Sequence, residues 1–112
     1  MEKKCFITRV KNDQRTLGYA YENALALEEY HPKVFQERRD MIQALPSYKD
    51  EKSAIKAAIE LWETTQGNCQ VWARIGKDEE YYFIQDYFIV TNDNRENQAA
   101  EYIGMAQIFT TS

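Results

Sequence analysis

"EEYYFIQDYFIVTN", residues 79 to 92, is the stretch on which the fold turns. A strand with one wet face alternates apolar and polar side chains. Here Tyr81, Phe83 and Ile89 share one parity, while Tyr82, Ile84, Phe88 and Val90 share the other. Both faces are apolar, so something must cover the second. Three arrangements would do so. In the first, the strand is central, with helices on one face and the C-terminal segment wrapped over the other. In the second, a β-bulge at Gln85-Asp86 rotates the inward parity, with Tyr81 and Phe83 inward before it and Phe88 and Val90 inward after it. In the third, the second face meets a partner, because a large exposed apolar patch on a small domain marks a contact surface.

The partner arrangement draws support from the supply of helices. If the helices line one face of a sheet of about three strands, only a short terminal element remains for the other. Trp72 and Arg74 share one parity of the preceding strand, and Trp, Tyr and Arg are the residue types enriched at binding hot spots. Covering a further ~400 Å² of apolar area is worth roughly 10 kcal/mol before association costs. On this reading Trp72, Arg74, Tyr82 and Tyr87 are the candidate partner-binding residues.

Moving outward, "CQVWARI" (69–75) alternates and reads as the strand before the turn "GKDEE", so residues 69 to 90 form an antiparallel hairpin. "EKSAIKAAIELWETTQG" precedes it and is helical. Ala54, Ile55, Ala58, Ile59 and Trp62 make one face, Ser47 or Asp50 serves as its cap, and Glu51 sits where the helix dipole favours an anion. Gly67-Asn68 has the composition of a left-handed helix end. "PKVFQERRDMIQAL" gives a second helix between Pro32 and Pro46, with Arg38 at the margin of its buried stripe. Residues 15 to 30 read as a third, although "RTLGYAY" also suits a strand paired with "KCFITRV" (4–10), the first strand. After "TNDN" a helix is expected over about 94–104 with an extended tail, and "MAQIFTTS" also suits a last strand.

The expected class is therefore α+β: a small antiparallel sheet of residues 4–10, 69–75 and 80–91, packed against two to three helices, with a short C-terminal helix or strand. Ile55, Ile59 and Trp62 should meet Phe6, Val71 and Phe83 or Ile84. The chain of 112 residues suits one domain, 1–112, with 44% hydrophobic and 29% charged residues.

Net charge is −4 and the isoelectric point about 5.0, which disfavours a protein built to grip phosphate backbones. The acidic run Asp78-Glu79-Glu80 reads as a solvated turn. "MEKKCFITRV" lacks an apolar core of the secretory type, and no stretch is long and apolar enough to span a bilayer. A cytoplasmic protein with two free thiols, Cys5 and Cys69, is expected.

Catalytic chemistry finds little purchase. His31 is the sole histidine and sits beside Pro32 at a helix junction, with nothing local to couple it to either cysteine. A zinc site would have to gather Cys5, His31 and Cys69 without a short-spaced pair. Gly18, Gly67, Gly76 and Gly104 are scattered and form no phosphate loop. Glu28-Glu29 and Glu60/Glu63 lack the supporting His or Asp cluster of acid–base or metal work. Arg38 and Arg39 could meet a phosphate, but Glu37 and Asp40 flank them.

The expectation is a non-catalytic interaction module with no cofactor and no metal. It would be a homodimer, or an inhibitor or adaptor of a larger protein, using an aromatic sheet face or edge. The alternative is single-stranded nucleic-acid binding, with bases stacked on Trp72, Tyr82 and Tyr87 beside Arg74. No motif matches a family; size and layout alone resemble the compact α+β proteins of phages and mobile elements.

Overall fold

A computed structural model describes residues 12–65, 67–91, 98–101 and 103–111, together with the backbone of residues 5 and 6. The fold is α+β. Its elements run β1 (Cys5–Phe6), α1 (Gln14–Tyr30), α2 (Pro32–Gln43), β2 (Ser47–Tyr48), α3 (Glu51–Thr65), β3 (Cys69–Lys77), β4 (Tyr82–Thr91) and β5 (Ala106–Thr111), with residues 98–101 also helical. The strands form one antiparallel sheet in the order β1-β5-β3-β4-β2.

Local chemistry explains the helix starts. Asp13 takes an extended backbone and its carboxylate accepts the Thr16 N–H at 2.8 Å, so α1 begins at Gln14 and "RTLGYAY" is helical, not a hairpin strand. Gly18 fits inside that helix because the Tyr82 ring lies against it; an added Cβ would sit 3.1 Å from the ring edge. Pro32 opens α2, and Asp50 caps α3 by accepting from the Ser53 N–H (2.9 Å) and hydroxyl (2.8 Å). Those two bonds lower the Asp50 pKa. Ser47, the other candidate cap, belongs to β2.

Three expectations need correction. The sheet has five strands, not about three: β2 adds to the β4 edge, and the C-terminal tail takes up the strand alternative. As β5 it lies inside the sheet between β1 and β3. Gly67 does not take a left-handed conformation; among the described glycines Gly104 alone does, at φ 76°. Gly76 belongs to β3, and the turn comprises residues 78–81. The first-strand expectation beyond residues 5 and 6, the start of the C-terminal helix and the Phe6 core contact lie outside the described residues.

The sheet resolves the question posed by residues 79–92. Directly opposed residues share a face. Val71↔Ile89, Ala73↔Tyr87, Ile75↔Ile84 and Lys77↔Tyr82 therefore define one face. Trp72↔Phe88, Arg74↔Asp86 and Gly76↔Phe83 define the other. The register jumps between Arg74 and Ile75, which leaves Gln85 unpaired as the extra residue of a bulge. Before Gln85 the even positions Tyr82 and Ile84 face the cluster that α1 and α3 cover, and after it the odd positions Tyr87 and Ile89 do, so Tyr81 and Phe83, expected inward before the bulge, are instead exposed.

Each face has its own apolar cluster. The first gathers Leu17 of α1, Ala54 and Ala58 of α3, and Val71, Ala73, Ile75 and Ile89 of the sheet. Ile55, Ile59, Trp62 and Ile84 pack on its margin, whereas Phe83 lies on the opposite face. The fully buried positions of α3 are alanines, which let the helix axis approach the strands closely. The second cluster joins Ile42 of α2 to Trp72, Phe88, Val90, Ala99, Ala100 and Met105. The stretch bearing Ala99, Ala100 and Met105 is thus the cover expected of the C-terminus. Gly104 lets it run tight against α1: a Cβ there would lie 2.0 Å from the Ala20 carbonyl oxygen.

A second register shift, between Val71 and Trp72 in the β3–β5 pairing, leaves Ile108 unpaired. Ile108 and its neighbour Phe109 both join the first cluster. At the outer end of β5, Thr111 ties the sheet together through its hydroxyl, which accepts the Cys69 N–H (2.8 Å) and donates to the Cys69 carbonyl (3.3 Å).

Candidate functional site

The four candidate contact residues do not make one surface. Trp72 is 8% exposed, and its indole N–H donates to Gln70 Oε1 at 2.9 Å. Arg74 lies on the same face, where its Nε and Nη2 donate to the two Asp86 oxygens at 2.8 and 2.5 Å. Its guanidinium also sits 5.6 Å from the Phe88 ring centroid. The Asp86 hydrogen bonds raise the Arg74 pKa, against the opposing effect of burial.

Tyr82 and Tyr87 lie on the other face and pack on the first cluster. Tyr82 tilts against Tyr21 at 5.5 Å, carries the Lys77 ammonium 5.2 Å above its ring and donates its hydroxyl to Glu22 at 3.0 Å. Burial raises the Tyr87 pKa, helped by Glu51 and Asp50. A base-stacking platform needs such rings on display, and Trp72 in particular is covered.

Among the described residues, Asp86 is the charged group that the interior retains. It is 5% exposed and bidentate with Arg74. Lys49 reaches it only at 3.9 Å from an 83% exposed side chain, a contact of little energetic weight. The residue following the bulge thus supplies an internal carboxylate with both oxygens committed.

The outer edge of β4 is closed by devices that the sequence did not announce. The Gln14 side-chain amide pairs with Tyr82 as a strand would: it accepts the Tyr82 N–H at 2.7 Å and donates to the Tyr82 carbonyl at 2.9 Å. At the other end, Pro46 accepts the Ile89 N–H at 3.0 Å, and β2 pairs with Tyr87 and Phe88. The bulge at Gln85 interrupts what lies between. Short cover and bulges of this kind suppress edge-to-edge pairing.

The apolar groups that do reach solvent are elsewhere. Among the described residues these are Tyr19 (62%), Leu25, Tyr30 (72%) and Val34 on α1 and α2, with Tyr81 and Phe83 at the start of β4. Tyr19 and Tyr30 are three turns apart and share one helix face. The acidic turn is structural: Asp78 Oδ1 accepts the N–H groups of Glu80 and Tyr81 at 3.3 and 2.9 Å.

A cleft of about 280 Å³ opens where α1, α2, β3, β4 and the Ile103 loop meet. Ile42, Phe88 and Ile75 are its buried lining, while Leu25, Arg39, Gln43 and Gln85 are exposed. The bulge matters here, because the extra residue it inserts, Gln85, is one of the lining groups. No group of three metal-ligating side chains occurs among the described residues. His31 is exposed between α1 and α2, with its backbone N–H on the Leu27 carbonyl and its carbonyl accepting from Phe35. Cys69 is a buried free thiol whose pKa burial raises, which makes it a poor nucleophile. No helix among the described residues is long and apolar enough to cross a membrane.

Comparison with family models, with curated proteins and with solved structures returned no match for this chain.

Proposed function

We propose that this chain is a non-catalytic protein-interaction module that meets its partner through the α1–α2 helical hairpin. The observation that carries this reading is the distribution of exposed apolar side chains. Four of the six large ones among the described residues, Tyr19, Leu25, Tyr30 and Val34, lie on that hairpin. The sheet, by contrast, has an apolar cluster on each face, and its β4 edge is capped by Gln14 and Pro46. Tyrosine is a residue of choice at contacts because it offers a large area for few rotatable bonds. The partner is a second copy of the chain or a larger protein that it inhibits or adapts.

The test replaces Tyr30 with a photo-crosslinking phenylalanine analogue in the cell that makes the protein, alongside light scattering of the purified chain up to high micromolar concentration. A discrete crosslinked adduct, of this chain with itself or with one other protein, is the expected result. A strict monomer that yields no adduct from position 30, nor from position 19, overturns the reading.

A further inference from the structure

The cleft differs from the rest of the surface in charge. The chain carries 18 acidic against 14 basic residues, yet the twelve described residues that line the cleft include two arginines and, among them, no carboxylate. Arg74 commits Nε and Nη2 to Asp86, which leaves the hydrogens of Nη1 without a partner in that pair. Arg39 forms no ion pair with any described residue; the neighbouring Asp40 accepts from Gln36 instead, at 2.7 Å. Gln43 and Gln85 add two amides, each able to donate.

Burial grades across the cleft in the same sense. Ile42 is 1% and Phe88 4% exposed, so the floor is buried and apolar, whereas Arg39, Gln43 and Gln85 are exposed. An apolar floor beneath a cationic, donor-rich rim is complementary to an amphiphilic anion. The volume lies near the lower end of small-molecule sites, which begin at roughly 300 Å³. A folded partner surface could insert little more than one side chain into such a space, so the occupant that fits is a small molecule.

We propose that this cleft binds a small aromatic carboxylate, ring toward Phe88 and Ile42 and carboxylate toward Arg39 with the Gln43 and Gln85 amides beside it. The site borders the hairpin surface at Leu25 but contains neither Tyr19 nor Tyr30, and it does not require a protein partner. A guanidinium takes a carboxylate in two parallel hydrogen bonds, whereas an amide head offers no charge to complement it.

The probes are 1-naphthoate and its neutral counterpart 1-naphthamide, titrated into the full chain and followed by amide chemical shifts. Naphthoate is expected to shift residues lining the cleft, to bind at least threefold more tightly than naphthamide, and to weaken with added salt. Arg39→Gln, an exposed substitution that leaves the fold intact, should abolish the preference for the acid, whereas Lys56→Gln on α3 should not. Saturation by neither probe at millimolar concentration overturns the proposal. Equal affinity for acid and amide, or an acid preference that survives Arg39→Gln, does so as well. None of these outcomes bears on crosslinking at Tyr30, so the two readings stand or fall separately.

Discussion

The two halves of β4 have similar composition and opposite fates. Before Gln85, Phe83 is 41% exposed; after it, Phe88 is 4% exposed on the same face of the sheet. The difference is not in the residue but in what lies over it. Trp72, Ile42, Ala99, Ala100 and Met105 shelter Phe88, and that cover gives out before Phe83. An apolar run in a strand therefore has two separate origins here. One half is enclosed on both faces, and the other is an ordinary amphipathic strand whose outer side chain happens to be aromatic. The bulge at the junction keeps one face continuous, handing the inward role from Tyr82 and Ile84 to Tyr87 and Ile89.

The sharpest way to break this comparison is to truncate both phenylalanines. Phe88→Ala should destabilise by about 3–5 kcal/mol, the usual cost of emptying a buried aromatic site, and Phe83→Ala by less than about 1 kcal/mol. Equal losses in urea denaturation would remove the distinction. Next in size is the cover itself. Gly104→Ala places a Cβ 2.0 Å from the Ala20 carbonyl oxygen at a left-handed position, and should cost about 3 kcal/mol. That loss should appear as early hydrogen exchange at Trp72 and Val90 before the α3 side opens.

Asp86→Asn tests the junction. It leaves a half-buried guanidinium without its anion, and about 2 kcal/mol should go, while Lys49→Ala stays within about 0.5 kcal/mol. At the wet end, Gln14→Ala removes both hydrogen bonds to Tyr82 and should cost about 1 kcal/mol, with faster amide exchange confined to residues 82–84. The smallest effect is expected from Asp50→Asn. The Asp50 pKa is lowered in the folded chain, so its contribution is present above the unfolded carboxyl value and fades as pH falls through the folded one. The substitution should lower the melting temperature slightly at neutral pH, with the difference closing in acid, so that the acid limb of melting temperature against pH flattens.

Much of this was legible in the sequence, for physical reasons. Helix α3 announces itself through its apolar spacing and Asp50, and the bulge through Gln85-Asp86 standing inside an apolar run. The C-terminal strand was harder, because its own bulge sets Ile108 and Phe109 toward one cluster and destroys the alternation that marks a strand. Trp72 read as a surface residue because the cover it meets, Ala99 and Ala100, is small and lies in a segment of weak helical signal. Gln14 could not have been read at all. A side-chain amide that closes a sheet edge 68 residues away leaves no periodicity behind. The cleft has the same origin, since its arginines and amides come from elements whose meeting only the topology decides.

The placement of β5 carries a consequence for how the molecule is made. A ribosome delivers residues 5 and 6 long before residues 106–111, yet they are the neighbours that pair, and β1 reaches β3 only through that later arrival. The hairpin of β3 and β4 can close on its own during synthesis. The sheet as a whole waits until residue 111 has been made, and a nascent chain stalled before residue 106 would hold β1 with no strand to join.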